Sequence, residues 1–183
     1  FSKALSSSLN LGFGAEWREE TFTTLAGEFN AYGVSPGPSG MTSVSPSDAG
    51  EFDRDNFALY ADLEQDISDE WLMQYALRYE DFSDFGSTVN GKLATRYQAN
   101  DFLTFRAAVS TGFHAPTPGQ ANVSTVITTF DGSTGLQIEE GLLPPTNPEA
   151  VANGGKELKE EESINYSIGF TAELGDKTSL TVD

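Results

Sequence analysis

Cysteine is absent from this sequence of 183 residues, and histidine occurs only once. Without cysteine the chain can form neither a disulfide framework nor a thiolate metal site. One histidine is by itself neither a catalytic triad nor a metal centre. Basic residues are scarce too, because 10 Lys and Arg stand against 28 Asp and Glu, which gives a formal net charge of −18. Such a balance argues against nucleic-acid binding, which needs a basic surface.

Long apolar runs are also missing. No stretch approaches the roughly 18 apolar residues of a membrane-spanning helix. The first residues show no basic segment followed by an apolar one, as a secretory signal would, and no P-loop or dinucleotide fingerprint is present. We therefore expect no cofactor and no enzymatic activity. The sequence begins and ends within alternating patterns, so we expect 1–183 to be a fragment of a longer protein.

Alternation of apolar and polar residues is what the sequence has in abundance. Six segments alternate over eight or more residues, at 5–18, 56–65, 71–80, 91–98, 102–111 and 163–174, and a seventh begins at Ser179. A period of two predicts β-strands with one apolar and one polar face. No segment carries a convincing helical stripe, so the predicted fold class is all-β.

The predicted connections differ in length in a regular way. Tight turns are expected at 67–70, 99–101 and 175–177, whereas 19–52 and 113–162 are long. In an up-and-down sheet the tight turns fall at one end and the long loops at the other, as in transmembrane barrels. Strands of this length also match the ~9–11 residues that cross the apolar layer. We predict an antiparallel up-and-down transmembrane β-barrel, here a partial barrel of about seven strands with long extracellular loops.

Large aromatic residues lie where the two girdles of such a barrel would be. Trp17, Tyr79 and Phe82 lie toward the long-loop end, and Trp71 and Phe102 follow tight turns. Girdles of aromatic residues mark both membrane interfaces of a barrel. The alternative is that these rings pack the core of a soluble β-sandwich. Girdle positions, strand lengths and loop lengths together favour the barrel.

Three motifs, taken in their order along the chain, resemble one protein family. The hairpin "NFALYADLEQDISDEWLMQYALRYEDF" (56–82), the elbow "FRAAVSTGFHAPTPGQ" (105–120) and the strand "LKEEESINYSIGFTAEL" (158–174) resemble segments of the barrel of TonB-dependent outer-membrane receptors. Three positions depart from the family pattern. His114 replaces Arg or Lys, Glu160 replaces Pro, and Ser167 replaces Glu.

The resemblance implies a complete protein with a plugged barrel in the outer membrane of a Gram-negative bacterium. Such a barrel has about 22 strands, of which residues 1–183 would supply about a third, without the plug domain. The resemblance also implies contact with outer-membrane lipid and uptake of a scarce nutrient, such as a ferric siderophore, a cobalamin-like compound or a glycan. TonB would supply the energy through the absent plug domain.

Two other functions fit the strand pattern. A passive porin or an adhesin barrel has the same alternation but needs no plug domain. A soluble β-sandwich would use the long loops as its ligand-binding site and would stay in solution without detergent. An enzyme is the least supported option, because no nucleophile or paired-carboxylate arrangement stands out.

Three arginines are the first candidate ligand-binding residues. Arg78, Arg96 and Arg106 fall on the polar faces of consecutive predicted strands. If that face lines the lumen, they form a basic ladder that faces an anionic ligand or the plug. The alternative is cross-strand pairing in the wall with Asp62, Glu64 and Glu80.

The elbow after residue 112 supplies two more candidates, Phe113 and His114, at the loop base. The strand must end here because Pro116 and Pro118 have no N–H to continue a ladder. A loop as long as the one that follows is usually functional or disordered. Four acids at strand ends lack the spacing of a calcium loop, so we interpret them as solvated and expect no metal site; they are Asp53, Asp55, Asp81 and Asp84.

Overall fold

The computed structural model describes residues 1–34, 40, 42–175 and 177–183. These residues form two compact units. The wall unit comprises Phe1–Arg18, Asn56–His114 and Glu160–Asp183, and the loop unit comprises Glu19–Asp55 and Ala115–Lys159. The wall unit therefore contains the alternating segments of the sequence, and the loop unit contains its two long connections.

Eight strands form the main sheet among the described residues, in the order β1-β2-β4-β5-β6-β7-β10-β11. Apart from three strands inside the long connections, each strand neighbours the next one along the chain, as an up-and-down sheet requires. The strands are β1 (Ser2–Ser6), β2 (Leu9–Thr24), β3 (Thr42–Ser43), β4 (Gly50–Asp66), β5 (Trp71–Phe82), β6 (Gly86–Asn100), β7 (Leu103–His114), β8 (Thr125–Phe130), β9 (Gln137–Leu142), β10 (Glu161–Gly175) and β11 (Thr178–Val182).

The predicted first strand at 5–18 is wrong at its start, and this raises the strand number of the main sheet from about seven to eight. Residues 2–6 form β1, which pairs antiparallel with the beginning of β2. The serine run between them forms the turn, where Ser6 Oγ accepts a hydrogen bond from the backbone N–H of Ser8 at 3.2 Å. Serine can occupy either a polar strand face or a turn through such local bonds, so the pattern alone did not separate them.

The predicted tight turns agree with the structure to within a residue or two. The turn at 67–70 joins β4 and β5. The second turn lies at 101–102 rather than 99–101. The β6–β7 register shifts between Gln98 and Asn100, and β6 continues through this shift to Asn100. The third turn, predicted at 175–177, includes residue 176, which lies outside the described residues.

The two faces of the main sheet differ in chemistry along registered rows. One row crosses β4, β5, β6, β7 and β10 and is entirely apolar or aromatic; its members are Leu63, Tyr75, Leu93, Val109 and Tyr166. The next row, on the opposite face, is polar or small; its members are Glu64, Gln74, Ala94, Ala108 and Ser167. We call these the apolar face and the polar face of the wall unit.

The apolar face is exposed, as the surface of a membrane barrel would be. Tyr75 is 40% exposed, Leu77 57%, and Ile168 78%. A β-sandwich would bury such residues against a second sheet, and a soluble monomer rarely exposes a contiguous apolar surface of this extent. The side chains of this sheet therefore need an apolar environment outside the chain.

Four of the five rings predicted for the aromatic girdles are exposed, as a girdle requires, but Phe82 is buried and its predicted girdle position is wrong. Trp17, Tyr79, Trp71 and Phe102 are exposed, whereas Phe82 is only 5% exposed. Phe82 lies on the polar face because it is an even number of residues from Arg78 in β5. Its ring packs 4.5 Å, between centroids, from the ring of Phe85.

The loop unit has structure that the sequence pattern did not predict. Its described residues include a three-stranded sheet in the order β3-β8-β9 and three short helices, α1 (Phe29–Tyr32), α2 (Pro118–Asn122) and α3 (Pro148–Ala152). Helix α2 begins at a capping box between Thr117 and Gln120, with proline at its first position. No helix in the described ranges is long and apolar enough to cross a membrane.

Candidate functional site

The polar face of the wall unit carries all three predicted arginines. Arg78 lies in β5, Arg96 in β6 and Arg106 in β7. Arg96 and Arg106 occupy directly opposite positions in the β6–β7 register. The predicted basic set is thus on one face, but its members have different surroundings.

Arg78 is neutralised within the wall. Its Nη2 donates to Glu80 Oε1 at 2.9 Å and to Glu16 Oε2 at 3.1 Å. Its guanidinium also lies over the ring of Tyr60, 5.9 Å from the centroid, a favourable cation–π position. The alternative expectation named Glu80 as a partner, but Glu80 lies on the same strand as Arg78, and the partner from another strand is Glu16. Asp62 instead accepts a hydrogen bond from Gln74 at 2.9 Å.

Gly14 allows the tyrosine of this cluster to lie across β2. A Cβ at position 14 would lie 2.5 Å from Tyr60 Oη and 2.6 Å from Cζ. Any side chain there would displace the ring beneath the Arg78 guanidinium. Gly14 therefore has a packing function, and glycine within a strand often marks such a close approach.

Arg106 forms a second ion pair, which crosses a strand. Its Nε donates to Asp183 Oδ1 at 2.7 Å, and its Nη2 donates to Oδ2 of the same carboxylate. Gly169 of β10 lies opposite Arg106 in the register, between β7 and β11. Because Gly169 has no side chain, the guanidinium and the carboxylate can meet above it.

Gly169→Ala should weaken this part of the wall. A Cβ at position 169 would overlap the carbonyl oxygen of Val182 and Oδ1 of Asp183. The backbone of β11 would have to move, and we expect a loss of about 1–2 kcal/mol in the free energy of unfolding. Urea unfolding of the purified protein in detergent would measure it.

Gly91→Ala is the matched control, since it is also a strand glycine but its Cβ would have only ordinary contacts, the nearest at 3.6 Å. Equal stability of the two variants would contradict the packing function of Gly169.

Phe113, at the predicted elbow, joins an aromatic cluster. The β6–β7 register ends at Lys92 and Ser110. Beyond it the end of β7 pairs with β10, and the Phe113 ring lies 5.8 Å from that of Phe82 in an edge-to-face arrangement at 72°. His114 is the last residue of β7 and is exposed. The structure thus places Phe113 in a packed cluster and His114 at an accessible strand end.

A buried arginine organises the loop unit. Arg54 is 7% exposed, and its Nε donates to Glu20 Oε2 at 2.9 Å. Its Nη1 donates to the carbonyl oxygen of Pro116, 62 residues further along the chain. Arg54 therefore ties the first long connection to the second, inside the loop unit. Nothing in the local sequence distinguishes it from an exposed arginine, and the sequence analysis did not identify it.

Packing of aromatic rings accompanies the Arg54 contacts. The rings of Phe22 and Phe52 stack at 6.4 Å between centroids and 26° between planes. Gly119 of α2 approaches this stack, since a Cβ there would lie 3.3 Å from Phe22 Cε2. Helix α2, which follows the elbow, is thereby packed on residues of β2.

An acidic side chain joins two further segments of the loop unit. Asp48 accepts hydrogen bonds from the hydroxyls of Ser124 at 2.6 Å and Ser45 at 2.5 Å. Burial raises the pKa of Asp48, but the hydrogen bonds from Ser124 and Ser45 together outweigh it, and the pKa lies below the usual value. Among the described residues no group of three or more His, Cys, Asp or Glu is arranged to hold a metal ion.

These observations define the class of the fold: an antiparallel up-and-down β-barrel wall with structured connections. The family described as "TonB dependent receptor-like, beta-barrel" matches residues 1–183. The chain belongs to this family. The fold class predicted from the strand pattern and the family predicted from the three motifs are both confirmed.

Two curated relatives are receptors for ferric enterobactin. The ferric enterobactin receptor PirA of Pseudomonas aeruginosa is 26% identical over 163 residues, which is 87% of this chain and 20% of that protein. The ferrienterobactin receptor of Escherichia coli is 22% identical over 161 residues, again 87% of this chain and 20% of that protein. The chain therefore spans about a fifth of the length of these relatives.

Solved structures show the same fold. The siderophore receptor PirA from Acinetobacter baumannii gives a TM-score of 0.64 at 19% identity, over 94% of this chain and 23% of that one. A variant of the ferric enterobactin receptor PfeA from Pseudomonas aeruginosa, solved with enterobactin, gives a TM-score of 0.66 at 17% identity, over 94% of this chain and 23% of that one.

Proposed function

We propose that residues 1–183 form part of the barrel wall of an outer-membrane receptor that takes up a ferric siderophore with energy supplied through TonB. The observation that carries this proposal is the two-faced sheet: an exposed apolar face lies opposite a polar face with paired charges. An apolar surface of this kind is suited to lipid, and a polar one to a water-filled or plugged lumen. Family membership and the two ferric enterobactin receptors among the relatives support the choice of ligand class.

Each part of the chain has a role in this proposal. The apolar face contacts outer-membrane lipid, and the loop unit contributes to the ligand entrance. The plug domain and its contact with TonB lie outside residues 1–183. The ligand path includes the polar face and the loop base, where the candidate residues are Arg78, Arg96, Arg106, Phe113 and His114. Uptake of this kind needs binding and movement and no covalent chemistry by these residues.

Fractionation and uptake of the full-length protein test the proposal. We expect the protein in the outer membrane, with a gel mobility that shifts on heating, as a folded barrel shows. We also expect cells that lack it to lose growth on a ferric siderophore when iron is limiting, and cells without TonB to lose the same growth. A soluble protein without a mobility shift would overturn the barrel assignment. If the protein is in the outer membrane but uptake does not depend on TonB, the barrel assignment stands and the function is that of a passive pore.

A further inference from the structure

The ladder between β6 and β7 covers only part of these two strands. Among the described residues their register runs from the turn at 101–102 to Lys92 and Ser110. Beyond it, toward the loop end, 86–91 pairs with β5 and 111–114 pairs with β10. We call these two segments, which belong to neighbouring strands but share no ladder, the rim seam. The seam divides the loop end of the wall into a β4-β5-β6 part and a β7-β10 part.

The position of the rim seam matches the boundary of the membrane. The part of β6 that pairs with β7 covers nine residues, 92–100, and ~9–11 residues of a tilted strand cross the apolar layer. The seam therefore begins where the strand leaves that layer. Inside the layer each backbone group needs a partner within the protein, whereas outside it water can hydrate an open strand edge. Separation of β6 from β7 is thus compatible with a stable wall in the segment where it is found.

Two side-chain contacts bridge the rim seam. At its base the backbone N–H of Gly91 donates to Thr111 Oγ1 at 2.9 Å, so a hydroxyl accepts the bond that a backbone carbonyl accepts in a ladder. Closer to the loop end, the rings of Phe113 and Phe82 lie 5.8 Å apart between centroids. The two parts of the wall are therefore joined here by side chains, which can separate while every ladder stays intact.

The contact between Phe113 and Phe82 needs the gap between β6 and β7. Alternation along β7 assigns Phe113 to the apolar face with Val109, whereas Phe82 lies on the polar face of β5. Side chains on opposite faces of a continuous sheet do not meet. Gly86, which is opposite Phe82 in β6, has no side chain to intervene. The Phe113 ring thus closes the rim seam through a single apolar contact.

We propose that the rim seam opens and closes with the Phe113 ring as its latch, so that the loop end of the wall has two widths. On opening, 86–91 stays with β5, 111–114 stays with β10, and the ladder at 92–100 remains as the hinge. Because β7 continues into the second long connection, opening moves the residue from which that connection starts. The inference rests on the barrel wall of the proposed function and does not depend on which ligand is taken up.

Exchange of individual amide hydrogens in the full-length protein in detergent, resolved by mass spectrometry, tests the opening. The N–H of Gly91 is protected by Thr111 Oγ1 only while the seam is closed, so its exchange rate follows the open population. We expect Gly91 to exchange roughly tenfold faster than Thr95, which lies within the ladder, and roughly tenfold faster again in Phe113→Ala. Phe105→Ala, which removes a β7 ring within the ladder, should leave both rates unchanged.

Disulfide formation gives a second readout of the same opening. Gly91 and Thr111 follow directly on the last registered pair, and opposite positions in antiparallel strands are close enough for a disulfide. The rate at which Gly91→Cys and Thr111→Cys join under a mild oxidant should fall severalfold when Phe113→Ala is added. The control pair, Leu93→Cys and Val109→Cys, is registered within the ladder and should join at the same rate with and without Phe113→Ala.

Assembly of the variants separates this inference from the barrel assignment. Each variant is first checked for outer-membrane fractionation and a heat-shifted band. If Phe113→Ala does not assemble, Phe113→Leu takes its place, because leucine keeps an apolar side chain but loses the ring contact, and the same changes should then be smaller. Assembled protein in which loss of the Phe113 ring changes neither the Gly91 exchange rate nor the cross-linking rate would overturn the latch alone. A soluble native protein would count against the barrel.

Discussion

Ile168→Arg should prevent stable assembly of the barrel in the outer membrane. Ile168 is in the middle of β10, on the apolar face, and 78% of its side chain is exposed. Its registered neighbour on β7 is Ala107, which has no charge to offset an arginine. Arginine on the lipid face near the centre of the membrane costs about 2–4 kcal/mol. In the full-length protein we expect a smaller outer-membrane fraction, a weaker heat-shifted band and a lower urea midpoint.

The neighbouring residue offers a control at the same depth. Ser167 lies on the polar face, opposite Ala108. Ser167→Arg introduces the same side chain into the same strand, but on the polar face. There we expect the free energy of unfolding to change by no more than about 0.5 kcal/mol. If both variants assemble equally well, or if only Ser167→Arg fails, the apolar face does not contact lipid.

The main sheet could be predicted because the polarity of each residue in a two-faced wall depends on the face on which it lies, and successive residues lie on opposite faces. Ile168 is apolar and Ser167 is polar because their side chains lie on opposite faces of the sheet. Alternation of this kind gives the period of two in the sequence. The same local logic failed at residues 6–8, where serine suits both a strand and a turn. The girdle prediction for Phe82 failed for a different reason: it followed the residue type, whereas the period of two already placed Phe82 with Arg78 and Glu80 on the polar face.

The loop unit could not be predicted because its contacts are distant along the chain. Arg54 contacts Glu20 and Pro116, which are 34 and 62 residues away. Asp48 contacts Ser124 at a separation of 76 residues. No period or motif encodes such pairs, so a long connection with many Gly, Pro and Asn residues was expected where a three-stranded sheet is found. The ion pair of Arg106 with Asp183 was hidden for the same reason.

Arg54→Ala should loosen the loop unit strongly. The substitution removes a buried guanidinium, and with it the hydrogen bonds to the Glu20 carboxylate and to the carbonyl oxygen of Pro116. Removing one member of a buried ion pair costs roughly 3–5 kcal/mol. Because Glu20 is 36% exposed and can be partly rehydrated, we expect the lower end, about 3 kcal/mol.

Limited proteolysis with a protease of broad specificity would detect this loss. If cleavage follows the population of the opened loop unit, a change of about 3 kcal/mol increases the cleavage rate about a hundredfold. The new cuts should map to 115–159, since Arg54 holds that segment through Pro116. Lys156→Ala, which removes an exposed cation from the same unit, should leave the rate nearly unchanged.

Arg54 also affects the proposed function, because it holds the loop unit in one conformation. A loop that is already folded loses less conformational entropy when a ligand binds. Under the proposed uptake function, Arg54→Ala should therefore weaken siderophore binding while outer-membrane assembly continues, because the contacts of Arg54 lie in the loop unit and the apolar face is unchanged. Arg54→Lys separates charge from geometry, since it keeps the cation but cannot reach Glu20 and Pro116 with the same planar group. Binding that is unaffected by Arg54→Ala, despite faster proteolysis of 115–159, would show that the loop unit does not take part in ligand capture.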